Sequence, residues 1–439
     1  MQEQKTSFKE RLGTFDLTMI VIGAVIGSGI FLTPSRIVRA LGDPTLVIGI
    51  WVLGGLMAIA GGLTFAEIAH VRPKVGGLYT FLTDAYSPYV GFTYAWCMLL
   101  VMNSGSLAAL CVACISYVSY FIPMSPAAQK LGAMGIIIFL TVMNYFGVQQ
   151  GSRLSNIFSM TKIIGIAALI LCGIFLSPVS PATHVSTPIQ HPENFVAALA
   201  FAMVGVLWSY GGWQYATFPA GETRNPSRAI PLSMFIGIGV IITLYLSVNL
   251  VYMSVLPLDL MAKEQRVASF TAEYLLGPIG GSIIAVLIAM STFGTASVYT
   301  LSAPRIYYAM AKDGLFFQRV AELHPKYSTP YIALVIQCVV ICVFILSGTF
   351  DDLISYVAFV DWIFYALTAA AVFIFRKKYS DVPRTYKTYG YPITPIFFII
   401  VSIWFVIYLF YNEPGKSSIG LGVLATSIPV YLYWRKKKG

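Results

Sequence analysis

The residues with the most unusual chemistry in this chain lie inside its apolar runs. Gly27, Ser28 and Gly29 interrupt one run, VIGAVIGSGIFLTP, and Gly211 and Gly212 interrupt another, VGVLWSYGGWQYATFPAGE. Glycine weakens a helix and leaves its polar backbone open to a neighbour. Lys162 and Asp361 each place a charge within a further apolar run, IFSMTKIIGIAALILCGIF and AFVDWIFYAL respectively. An ionisable group so placed marks a functional site by default, because burying it in an apolar medium is costly.

Other chemistries lack their residues. His70, His184, His191 and His324 fall near the ends of runs or between them, and the six cysteines have no histidine or carboxylate at metal-ligand spacing. No GxxxxGK[ST] phosphate loop occurs. No catalytic residue, metal, cofactor or ATP site is therefore expected.

The elements that must position these residues follow from composition. Of 439 residues, 57% are hydrophobic and only 10% charged, against about 25% charged in soluble domains. Mean hydropathy is +0.77. About twelve runs are long enough to cross a bilayer as helices. They centre on 16–39, 45–70, 88–121, 131–148, 154–176, 194–222, 229–255, 279–311, 331–348, 352–375, 392–411 and 417–434. The connections leave no room for a soluble domain, and 258–276 reads as a short surface helix. The polar stretch 1–14 is not a cleavable leader.

Placing the N-terminus in the cytoplasm sorts the basic residues. Arg36, Arg39, Lys130, Lys263, Arg266 and Lys416 fall outside, Lys162 lies within a span, and every other Lys and Arg falls inside. The split obeys the positive-inside rule. It puts both termini in the cytoplasm and accounts for the net charge of +10 without nucleic acid. Glu67 and Glu222, at the cytoplasmic ends of their runs near Arg72, Arg224, Arg228 and Arg305, read as parts of an inner gate.

Runs one and six carry matching interruptions, and an odd offset of five gives their halves opposite orientation. Such paired breaks point to a binding site between inverted repeats. The half-helix that starts after a break offers unpaired N–H groups and partial positive charge, which suits an anion. The half that ends before it offers carbonyls, which suit an ammonium. A ligand with both groups on adjacent atoms is an α-amino acid. Ser28 and Gly29, with Gly27, are assigned to its carboxylate, and the carbonyls of Val25, Trp208 and Gly211 to its ammonium.

Gly27-Ser28-Gly29-Ile30-Phe31 resembles the first-helix motif of the amino acid–polyamine–organocation superfamily. Pro73, Gly76, Gly77 and Tyr79, SYGGW at 209–213, GETRNPSRAIP at 221–231, RIYYAMAKDG at 305–314 and HPKYSTP at 324–330 extend the likeness. Together they resemble bacterial L-type amino acid transporters over nearly the whole chain. The resemblance implies an all-α polytopic membrane protein of twelve helices, built as a five-plus-five inverted repeat with helices one and six discontinuous. The repeats would span 15–176 and 194–375, and two extra helices 392–434.

It also implies roles. Trp208 would be the aromatic lid over the substrate, with Tyr210 and Gly212 completing gate and pocket. Lys162 would stand where related carriers hold sodium, bridging helices one, five and eight, with Ser291 and Thr295 as partners. Animal members carry a cysteine between helices three and four that links an accessory subunit, and the loop IPMSPAAQK (122–130) has none. The expectation is a sodium-independent exchanger of neutral L-amino acids in a bacterial cytoplasmic membrane, its partners being the substrate and the bilayer. A proton-coupled amino acid or polyamine symporter and an amino-acid-binding channel or receptor are the alternatives. For Asp361 three readings stay open: pairing with a basic group, facing a water-filled cavity, or recognising a cationic substrate.

Overall fold

The computed structural model describes residues 8–177, 194–264, 266–347 and 350–438. The expected 177–193 loop, with His184 and His191, lies outside them apart from Ser177. Among the described residues the chain is helical, and its one strand-like feature is an isolated bridge between Leu12 and Thr223. Lipid offers backbone groups no hydrogen-bond partner, so an apolar chain satisfies them by winding into helices.

The helices are α1 (Thr14–Val25), α2 (Gly29–Leu41), α3 (Pro44–Val71), α4 (Leu78–Ala85), α5 (Pro88–Cys97) and α6 (Asn103–Val118). A π-helical turn, Met98–Met102, joins α5 and α6 into one span. Next come α7 (Pro126–Tyr145), α8 (Val148–Leu176), α9 (Phe195–Tyr210), α10 (Pro226–Val255), α11 (Leu258–Lys263) and α12 (Val267–Leu276). The last are α13 (Pro278–Ser302), α14 (Pro304–Lys312), α15 (Tyr331–Ser347), α16 (Phe350–Lys378), α17 (Ile393–Asn412) and α18 (Pro414–Lys438). Among the described residues ten helical spans are long and apolar enough to cross a membrane, the bent pair α1–α2 makes an eleventh, and Tyr331–Leu346 is a shorter apolar helix. The segment expected to hold one surface helix, 258–276, holds two, α11 and α12.

Local sequence sets where the helices begin. Asp43, Ser87 and Ser125 each precede a proline and accept backbone N–H bonds from the first turn of the helix that follows. The proline loses nothing there, since its missing N–H would have had no partner in the helix. Outward faces carry large apolar side chains such as Ile164, Phe175, Phe235, Ile279 and Ile400, as a lipid-facing surface requires. The α5–α6 span is the most enclosed, whereas α7, α17 and α18 are peripheral.

At one end of the bundle ion pairs tie helices together. Arg305 is fully buried and donates to Glu222 through Nε (2.7 Å) and a terminal nitrogen (3.2 Å), and also to the Leu301 carbonyl. Glu67 accepts from Arg376 at 2.9 and 2.8 Å and from the Thr388 amide at 2.7 Å. Arg72 belongs to Asp84 instead, at 2.9 Å. At the same end Arg11 and Leu12 donate to the Glu222 carbonyl, and Arg224 donates back to Leu12. The segment before α1 is thus stitched to the segment after α9.

Removing one partner of the enclosed pair leaves a buried charge without compensation. Arg305→Met should destabilise the protein by about 3–5 kcal/mol, and the double variant with Glu222→Leu should recover most of that loss. Thermal unfolding in detergent measures both.

Candidate functional site

Two helix breaks face one cavity. The first separates α1 from α2 by a 42° bend across Ile26, Gly27 and Ser28. The second ends α9 at Tyr210, after which Gly211 is extended, Gly212 has φ of 116°, and a 3-10 turn covers Trp213–Thr217. Ala24, Gly27, Ser28, Gly29, Trp208 and Gly211 line the cavity, together with Gly212.

The carbonyls at the first break are nearly all taken. Ile22 accepts from the Ile26 amide. Gly23 accepts from the Lys162 ammonium at 2.8 Å. Val25 accepts from the Gly27 amide at 2.8 Å and the Tyr245 hydroxyl at 3.2 Å. The Ser291 hydroxyl lies 3.1 and 3.2 Å from the carbonyls of Ile26 and Gly27, and the Thr295 hydroxyl 3.0 Å from that of Ile26. Among the described residues only the Ala24 carbonyl has no donor. Val25, expected to receive the ammonium, is thus partly engaged, since the Tyr245 hydroxyl is shared with the Ser209 carbonyl at 3.0 Å, and Ala24 is the freer acceptor that α1 offers.

The amides after the break are the reverse case. Those of Ser28, Gly29 and Ile30 have no acceptor among the described residues, while the Ser28 carbonyl already serves Phe31 and Leu32. They are the orphan N–H groups of a helix start, pointing partial positive charge at whatever lies before α2. On α9, Leu207 and Gly211 keep open carbonyls among the described residues, and Trp208 receives only a 3.3 Å contact from the Gly211 amide. Each such group, left without a partner away from water, costs about 1–3 kcal/mol. Donors on one side and acceptors on the other suit a carboxylate and an ammonium.

Lys162 is fully buried and reaches across from α8, with Nζ 2.6 Å from the Thr295 hydroxyl of α13 as well as 2.8 Å from Gly23 of α1. One side chain therefore joins three helices behind the first break. Ser291 stands beside it without lining the cavity, whereas Thr295 does both.

Tyr210 does not line the cavity. Its ring is packed on Tyr245 at 5.0 Å and on Trp51 at 5.8 Å. The reason is helical geometry, since two residues beyond Trp208 is about 200° around the axis. Trp208 itself is half-buried on the cavity wall.

Several cavity residues were not singled out from sequence. Gln214 accepts from the Gly212 amide at 3.2 Å and donates to the Tyr365 hydroxyl. Tyr215 stacks on Tyr299 with centroids 3.9 Å apart, and its hydroxyl donates to Asn103. A glutamine directly after Gly-Gly-Trp in an apolar run was the available signal.

Two glycines are fixed by close approach. A Cβ at Gly29 would sit 2.8 Å from the Cα of Ser209, where α2 crosses α9. At Gly212 it would sit 2.7 Å from the Ala24 carbonyl oxygen, in a backbone conformation that L side chains rarely adopt. Gly212→Ala should therefore fill the approach to the one open carbonyl of α1 and weaken ligand binding at least about tenfold, while a surface Gly49→Ala, with open space around it, should not. Ligand-dependent thermal shifts of the two purified variants give the comparison.

The chain is similar to known proteins over nearly its whole length. Residues 12–433 match the family model for amino acid permeases. The serine/threonine exchanger SteT of Bacillus subtilis is 30% identical over the full length of both chains. The mouse b(0,+)-type amino acid transporter 1 is 28% identical over 93% of this chain and 84% of its own. The human large neutral amino acids transporter small subunit 2 is 28% identical over 98% of this chain and 82% of its own.

Proposed function

Since this chain belongs to the amino acid permease family, we propose that it is a secondary transporter exchanging neutral L-amino acids across the membrane by alternating access. The observation that carries the proposal is the set of unpaired backbone groups at two breaks facing one cavity. The Ser28, Gly29 and Ile30 amides take the carboxylate. The Ala24, Leu207, Trp208 and Gly211 carbonyls take the ammonium. The relatives named as exchangers and transporters of amino acids support the same substrate class.

The geometry also supplies a mechanism. Each half-helix carries part of the substrate site, so a bound substrate couples α1–α2 to α9 and the turn after it. A polyamine lacks the carboxylate and would leave the three amides unsatisfied, which disfavours that alternative. Trp208, on the cavity wall, acts as the lid. The two breaks sit in corresponding places of an inverted repeat formed by 15–176 and 194–375, followed by helices within 392–434.

The Lys162 ammonium occupies the space between α1, α8 and α13 and holds the Gly23 carbonyl. A fixed cation there makes a sodium ion unnecessary, so transport is sodium-independent. The carrier works in the cytoplasmic membrane with both termini inside, where its Lys and Arg clusters lie, and without a disulfide-linked subunit, as its 122–130 loop has no cysteine.

Proteoliposomes provide the test. Internal unlabelled neutral amino acid should accelerate uptake of labelled substrate at least about tenfold over empty vesicles, as coupling of substrate to the conformational switch requires. Equal uptake into empty and loaded vesicles would point to a channel or receptor. Replacing sodium by choline should leave the rate unchanged, and a clear loss would remove Lys162 from the role given to it.

A further inference from the structure

Asp361, on α16, is the acid that lines the central cavity, and it is partly exposed there. Among the described residues no hydrogen bond or ion pair reaches its carboxylate. Among the described residues four other acids at the helices are compensated. Glu67 has Arg376, Glu222 has Arg305, Asp84 has Arg72, and Asp16 accepts from Asn156 and Ser152. No Lys or Arg lines the cavity, and the Lys162 ammonium is spent on Gly23 and Thr295. An acid inside a membrane span without a protein cation is costly to keep charged. The cavity it lines is the side from which a cation can reach it.

The walls near it suit a cation as well. Trp208, Tyr215, Tyr299 and Tyr365 share the cavity with Asp361. Aromatic faces attract ammonium and guanidinium groups, the more so when desolvated. Gly211 and Gly212 place no side chain in the way.

We propose that Asp361 is a specificity-determining residue that admits α-amino acids whose side chain ends in a cation, an ammonium or a guanidinium, in addition to neutral ones. The proposal rests on the reading that the two breaks hold the α-carboxylate and α-ammonium. The side chain then projects from that anchor into the part of the cavity that Asp361 and the aromatic rings enclose. A neutral side chain leaves the acid without its partner, whereas a cationic one completes the pair. Lysine and arginine should therefore outcompete neutral amino acids of the same length and shape.

Counterflow in proteoliposomes of the full chain tests this with matched competitors, lysine against norleucine, ornithine against norvaline and arginine against citrulline. In the unsubstituted protein the cationic member of each pair should inhibit uptake of a labelled neutral amino acid with an apparent affinity at least about tenfold higher, the scale of one hydrogen bond to a charged group. Asp361→Asn should bring that ratio close to one, and Asp361→Glu should restore much of it. A ratio at or below one in the unsubstituted protein overturns the proposal and leaves neutral exchange standing, and this outcome needs no variant to fold. A ratio that survives in Asp361→Asn overturns it too. Absence of counterflow with every amino acid would fell the underlying reading and the proposal together.

Discussion

Everything in this molecule turns on the cost of opening a helix inside a medium that offers no hydrogen bonds. Each backbone group freed at a break needs a new partner. The chain supplies partners for most of them and withholds them from a few. Around the first break, Lys162, Ser291, Thr295 and Tyr245 take the carbonyls of Gly23, Val25, Ile26 and Gly27. What they leave, the Ala24 carbonyl and the Ser28–Ile30 amides, belongs to a break that lines the same cavity as the end of α9. The site is defined as much by what the protein satisfies as by what it exposes.

The supporting shell follows from that requirement. Ser291 and Thr295 lie one helical turn apart on α13 and so present both hydroxyls on the face that meets α1. Lys162 brings a third donor from α8, which is why three helices converge behind a single break. Gly29 and Gly212 keep the two broken segments close enough to share one cavity. Beyond the cavity, α11 holds the far end of α2, its Ala262 carbonyl accepting from Ser35 and Arg39. At the opposite end Leu12 joins Thr223 and Arg224. These hydrogen-bonded ends add to a direct interface, in which α2 packs on α9 and α1 packs on the turn that follows α9.

Much of this was legible in the residues. A glycine pair, a buried lysine and two hydroxyls stand out in apolar runs because lipid tolerates none of them without a reason. The breaks, the course of the helices and the Lys162–Thr295 contact could be anticipated on that basis. Other details could not. Val25 precedes the break and reads as an ammonium acceptor, but its carbonyl already takes the Gly27 amide and neighbours the hydroxyl of Tyr245, more than two hundred residues away in sequence. Tyr210, expected at the gate and pocket, is turned by the helix to the opposite face from Trp208. The setting of Asp361 depends on which charges fail to reach it, and the absence of a partner has no local sequence signal.

The central claim is that backbone groups of two broken helices hold the two charged ends of an α-amino acid together. Equilibrium binding to the purified protein tests it with three compounds that share one side chain: a neutral L-amino acid, its decarboxylated amine and its deaminated acid. Loss of either end leaves a set of buried donors or acceptors unpaired, so the amine and the acid should each bind at least about a hundredfold more weakly than the amino acid. Binding of either analogue as tightly as the amino acid would contradict the account, because the groups freed at one of the breaks would then have no part in recognition.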